Sequence, residues 1–67
     1  MTTSARLPAA ERRLELIETA VRVFSEGSYR GTTTAEIARE AGVCEPTLYR
    51  HFPSKRDLYF AALDHGW

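Results

Sequence analysis

The chain has 67 residues, 43% of them hydrophobic and 27% charged, with 9 Lys and Arg against 9 Asp and Glu and a formal net charge of +0. That length allows one small domain with a modest core, and the apolar content with no net charge argues against disorder. A single cysteine excludes an intramolecular disulfide, and no apolar run approaches the roughly 18 residues needed to span a bilayer, so the chain is expected to be soluble and cytoplasmic. Bulk charge points to neither a nucleic-acid nor a membrane partner. Any such inference must rest on where the charges sit.

In chain order, residues 1–7 (MTTSARL) carry no periodicity and read as a flexible arm. Pro8 suits a helix start, and a helical pattern runs from there to Glu26. On its helical wheel Ala10, Arg13, Leu14, Ile17, Ala20, Val21 and Phe24 form the expected inward face. Leu16 and Val23 fall on another flank and suggest a second contact, and Glu18 with Arg22 makes a favourable i,i+4 pair. Gly27 is expected as the left-handed residue closing this helix, with Gly31 free to take positive φ in the connector.

Thr33-Thr34-Ala35-Glu36 matches a capping box and opens a short helix with Ile37, Ala38 and Ala41 inward, stopped by Gly42. After the turn at Val43-Cys44, a helix of about two turns is predicted from Pro46 to Phe52, with Glu45 kept out of the α region by the proline that follows it. Pro53 ends it. Ser54-Lys55-Arg56-Asp57 is a second capping box, opening a fourth helix that runs towards Trp67. This last helix has apolar residues on several sides (Leu58, Tyr59, Phe60, Ala62, Leu63), more than so small a domain can cover, which suggests that it continues into something larger. The fold class is all-α: three helices containing a helix-turn-helix, in a homeodomain-like arrangement, plus the start of a fourth.

Thr33 to Lys55 carries the functional signal. Two short helices meeting at Gly42-Val43-Cys44 need a small residue at their contact and apolar residues inward; Ala38, Ile37, Ala41, Val43 and Leu48 meet those needs. In the second helix Leu48 and Phe52 anchor the inner side, which turns Pro46, Thr47 and Arg50 outward with Tyr49 and His51 on the shoulders. Hydroxyls, a phenol, an imidazole and a planar cation at short reach are the means of contacting phosphates and base edges in a major groove. Glu45 has two readings, a carboxylate favoured by the helix dipole or an acceptor for a cytosine amino group. Lys55 and Arg56 lie in the first turn of the fourth helix, where a cation costs about 0.3–1 kcal/mol, so their placement suits an incoming phosphate better than folding. Thr33 and Thr34 offer a similar anion site. Arg50, His51, Lys55 and Arg56 fall within seven residues holding no acid, whereas the first helix holds Glu11, Glu15, Glu18 and Glu26. Arg6, Arg12 and Arg13 could add a minor-groove or backbone contact.

The run TTTAEIAREAGVCEPTLYRHFPSKRDLY resembles the DNA-binding domain of the tetracycline-repressor (TetR) family of bacterial transcriptional regulators. The first helix, with Ala20 and Phe24 near its end, extends the likeness over nearly the whole chain (residues 8–67 as the domain). The resemblance implies a homodimer joined through a helical C-terminal domain outside this chain, a small-molecule inducer bound by that domain, a palindromic double-stranded DNA operator, and usually repression. It further implies that Thr33 and Thr34 hold phosphate or neighbouring bases, that Glu45, Pro46, Thr47, Tyr49, Arg50 and His51 lie at the groove, and that Lys55 grips the backbone. No cofactor or metal is implied. The chain departs from the pattern in its longer Gly27-Ser28-Tyr29-Arg30-Gly31 connector and in Cys44, where Ser or Thr is usual. Cys44 reads as a small buried turn residue, with a redox-sensing thiol as the competing role.

An enzyme is disfavoured, because Asp57, Asp64, His51 and His65 are scattered and no Gly-rich phosphate loop is present. The alternative is a small helical protein-interaction module docking through Tyr59, Phe60 and Trp67. Cations in the first turn of the fourth helix would then have no role.

Overall fold

A computed structural model describes residues 8–66; the expected arm over residues 1–7 and Trp67 lie outside the described residues. Four helices follow in order: α1 (Ala9–Glu26), α2 (Thr34–Ala41), α3 (Glu45–His51) and α4 (Lys55–Asp64). No strand occurs among the described residues, and no helix there is long and apolar enough to cross a membrane. The all-α expectation holds.

The stripe that α1 buries is rotated from the expected one. Leu16, Ile17, Ala20, Val23 and Phe24 are buried, whereas Ala10, Arg13 and Leu14 are exposed. Leu16 and Val23 therefore belong to the main core and need no separate contact. The stripe centres on Ala20, whose small side chain lets a neighbouring helix approach, and its flanks are the larger residues one turn away on either side. Arg13 lies on the same wheel sector but near the amino end, where its guanidinium sits 4.9 Å from the Phe52 ring centroid instead of entering the core. Arg22 pairs with Glu26 on its own helix and with Glu40 of α2 at 3.2 Å, rather than with Glu18. An exposed pair of this kind is worth under about 1 kcal/mol, so it adjusts the α1–α2 seam without holding it.

Each short helix carries its own start signal. Thr33 Oγ1 accepts from the Glu36 N–H at 3.1 Å, and Ser54 Oγ accepts from the Asp57 N–H at 3.2 Å. Both expected capping boxes thus supply the side-chain acceptor that an orphan first-turn N–H requires. Gly42 closes α2 at φ 77°, and the Val43 N–H reaches back to the Ala38 carbonyl at 2.9 Å. This is the Schellman arrangement, which needs a left-handed residue at that point. Gly27, by contrast, closes α1 at φ −125°, and Gly31 is not among the positive-φ glycines; the Gly31 N–H is held by Ser28 Oγ at 3.0 Å instead.

α3 begins at Glu45, one residue before the expected start, with Cys44 as N-cap and Pro46 in its first turn. The Cys44 carbonyl accepts from the Leu48 N–H at 3.2 Å, closing the first turn around Glu45. Pro46 loses nothing there, since first-turn N–H groups have no helical partner. The core that unites the helices joins the α1 stripe to Ile37 and Ala38 of α2, Leu48 and Phe52 at α3, and Leu58 and Ala62 of α4. Phe24, Tyr29 and Tyr59 cluster with centroids 4.7–5.9 Å apart, Phe24 stacked on Tyr29 and Tyr59 edge-on to both. On α4, Phe60 and Leu63 remain exposed.

Candidate nucleic-acid interface

Two residues at α3 determine what the rest of it presents. Leu48 is 0% exposed and Phe52 is 2% exposed, so both are sunk into the core. Fixing them fixes the rotation of a helix of 7 residues. Pro46 and Arg50 are then exposed, Tyr49 is 42% exposed, and Thr47 and His51 are half-buried at the edges. The wheel places Pro46 and Arg50 correctly, but Thr47, expected outward, is half-buried, whereas Tyr49, expected on a shoulder, and Glu45, expected near the anchors, are exposed. A helix this short is marginal alone, so α3 takes its position from the two anchors.

Glu45 and Tyr49 stand one turn apart on α3 and face the amino end of α2. There Thr34, 8% exposed, places its Oγ1 2.6 Å from the Tyr49 hydroxyl and 3.5 Å from Glu45 Oε2. Thr34 is therefore engaged within the fold, while Thr33 beside it is exposed and serves as the cap. The triad of Thr34, Tyr49 and Glu45 ties the two helices of the helix-turn-helix together across their open side, opposite the Gly42 turn.

Lys55 is placed otherwise than the sequence argument supposed. Its Nζ donates to the Tyr29 carbonyl at 2.6 Å and to the Thr32 carbonyl at 3.0 Å, and it lies 4.2 Å from the Tyr29 ring centroid. A cation at the positive end of α4 thus has folding partners after all: two carbonyls and an aromatic face offset the unfavourable dipole. Only the tertiary fold could reveal this, because the connector lies more than twenty residues away. The ammonium has three N–H groups, so one remains for an outside acceptor. Arg56 is exposed and stacks over Phe60, at 5.4 Å from that ring centroid.

Cys44 is exposed, not buried as the sequence suggested. Its Sγ lies 3.2 Å from Thr47 Oγ1. The Thr47 hydroxyl, with the Thr47 backbone N–H adding to it, draws the thiol pKa below its ordinary value. No His, Cys, Asp or Glu group among the described residues is arranged to hold a metal.

This geometry, two short helices around a left-handed glycine with a polar strip on the second, is that of a helix-turn-helix. The profile of the family described as "Bacterial regulatory proteins, tetR family" matches residues 16–62. The chain belongs to that family. Among its curated TetR-family relatives, the HTH-type transcriptional activator FasR of Mycolicibacterium smegmatis is 48% identical over 58 residues, covering 87% of this chain and 26% of that protein. The biofilm operon negative regulator IcaR of Staphylococcus aureus is 40% identical over 45 residues, covering 67% of this chain and 24% of that protein. A solved TetR-family transcriptional regulator from Streptomyces coelicolor superposes with a TM-score of 0.86 at 41% identity, over 88% of this chain and 27% of the other. The chain therefore spans about a quarter of the length of these relatives, and the part it matches is the helix-turn-helix domain of a TetR-family transcriptional regulator.

Proposed function

We propose that residues 8–67 form a sequence-specific double-stranded DNA-binding domain that inserts α3 into the major groove. One observation carries the reading: the Thr47, Tyr49, Arg50 and His51 strip is presented outward by two fully sunk anchors, Leu48 and Phe52. On it Arg50 reads a base edge, Thr47 and His51 contact bases or backbone, and Pro46 packs against the groove wall. Tyr49 contacts a phosphate and Glu45 accepts from a base amino group. Thr33, exposed just before α2, meets the neighbouring phosphate, and Lys55 offers its remaining N–H to the backbone. In the whole protein this domain acts as one half of a homodimer on a palindromic operator, joined through a region beyond the domain, in the bacterial cytoplasm. We take its action to be repression relieved by a small-molecule inducer. Family membership is compatible with either sign, since the relatives include an activator and a negative regulator.

The test is a salt titration with a substitution. Affinity should fall as salt rises, by about threefold between 50 and 200 mM for each phosphate that a Lys or Arg neutralises. Arg50→Ala should cost about 1–3 kcal/mol on the preferred duplex and little on others, narrowing the difference between them. Binding that ignores salt, with Arg50→Ala unchanged in selectivity, would sink the reading. It would favour instead a helical protein-interaction module, for which the exposed Leu14, Phe60 and Leu63 on α1 and α4 are the supporting observation.

A further inference from the structure

The Thr34, Tyr49 and Glu45 triad has a property that no single residue in it shows. Two hydroxyls and one carboxylate share two protons, and the carboxylate can only accept. If Thr34 donates to Glu45, then the short 2.6 Å contact must be made by the Tyr49 proton, donated to Thr34 Oγ1. The Tyr49 oxygen then faces outward with lone pairs alone and cannot donate to a phosphate. In the opposite order Thr34 donates to the Tyr49 oxygen, the Tyr49 proton points away from the protein, and Glu45 is released. The two distances say which bond yields. The hydroxyl–hydroxyl contact is tight and persists in either order, whereas the 3.5 Å contact to Glu45 is at the long limit of a hydrogen bond and is lost cheaply.

We propose that Thr34 couples Tyr49 to Glu45: when the Tyr49 hydroxyl donates to a DNA phosphate, Thr34 turns its own proton to the Tyr49 oxygen and frees Glu45 to accept from a base amino group. The inference rests on the placement of α3 in the groove. It makes Thr34, 8% exposed and unable to reach far outside the fold, a positioning residue that links backbone contact to base reading. No proton leaves the triad and none enters; only the direction of donation reverses. The arrangement also has a consequence for non-cognate DNA. A phosphate contact there releases Glu45 with no base amino group to meet it, so a freed carboxylate faces the polyanion unpaired, which disfavours the wrong sequence.

The test is a double-substitution cycle in three backgrounds. The probe is the duplex most enriched by the wild-type protein from a randomised pool, with a mixed-sequence duplex as the reference. Tyr49→Phe and Glu45→Gln are measured singly and together, first with Thr34, then with Thr34→Ser, then with Thr34→Val. Circular dichroism and thermal melting of every variant confirm folding. The expected result is that the paired substitution departs from the product of the single effects by threefold or more with Thr34. Thr34→Ser should preserve that departure, because the hydroxyl remains, and Thr34→Val should abolish it while leaving each variant folded. A merely structural Thr34 would change stability and all affinities together but leave the departure intact in Thr34→Val, and that result overturns the proposal. If instead the wild type shows no salt-dependent binding to either duplex, the α3 reading falls and the coupling falls with it. Salt-dependent, Arg50-sensitive binding without Thr34-dependent coupling refutes the relay alone.

Discussion

Replacing Lys55 by methionine separates a clasp from a phosphate ligand. The change keeps most of the stem and removes the ammonium, which the Tyr29 and Thr32 carbonyls accept from at 2.6 and 3.0 Å. Hydrogen bonds to a charged group are worth about 1.5–3 kcal/mol each when well sheltered. Lys55 is only half-buried, so water can replace it at both carbonyls and about 1 kcal/mol for each is the fair figure. The Tyr29 ring beneath the ammonium adds under about 1 kcal/mol. The expected loss is therefore about 2 kcal/mol, from a domain whose whole stability is roughly 3–10 kcal/mol at about 0.05–0.15 kcal/mol per residue. In a melt followed by circular dichroism this is a fall of roughly 8–16 °C, at about 4–8 °C per kcal/mol for a domain this small. Arg56→Met, in the same turn but exposed, is the control and should stay within about 0.5 kcal/mol of wild type. If Lys55→Met melts with the wild type while its affinity for every duplex falls, the ammonium is a phosphate ligand and the clasp has no energetic weight.

Leu48→Ala removes the fully sunk anchor of α3 and should cost about 3–5 kcal/mol, enough to leave a large unfolded fraction without denaturant; a urea midpoint within experimental scatter of wild type would contradict the anchoring argument. At Gly42, held at φ 77° with nothing within 4 Å of an added Cβ, Gly42→Ala should cost about 1 kcal/mol from backbone strain alone, and Gly42→Asn should cost less, since asparagine tolerates that region. The Cys44 thiol, lowered first by the Thr47 hydroxyl, should hold more thiolate at neutral pH than an ordinary cysteine and alkylate faster with iodoacetamide. Thr47→Val should move the midpoint of that rate against pH upward; an unmoved midpoint would show that the hydroxyl contact does not persist in solution.

Local chemistry was the legible part of this chain. Thr33, Ser54, Gly42 and the proline after Phe52 act on neighbours within five residues, so their roles follow from spacing alone and the helix count could be read directly. The outward placing of Pro46 and Arg50 on α3 was legible for the same reason, because Leu48 and Phe52 lie one turn apart and claim the inner side. The stripe on α1 was less so. Its wheel holds apolar residues over about half its circumference, and only the positions of α2 and α4 choose among them; Leu14 lost that choice and Leu16 won it. Cys44 was read as a buried turn residue, yet it is the N-cap of α3 and faces the open end of the helix it starts.

What sequence alone determined was the set of elements and the chemical character of α3, since both depend on contacts within one or two turns of chain. What the tertiary structure decided was the assignment of polar groups that meet across long separations. Lys55 on the Tyr29–Thr32 connector and Thr34 between Glu45 and Tyr49 are the instances. A hydrogen bond is directional and short, so periodicity can say that a donor is present on a face but not which acceptor the fold brings within 3 Å of it.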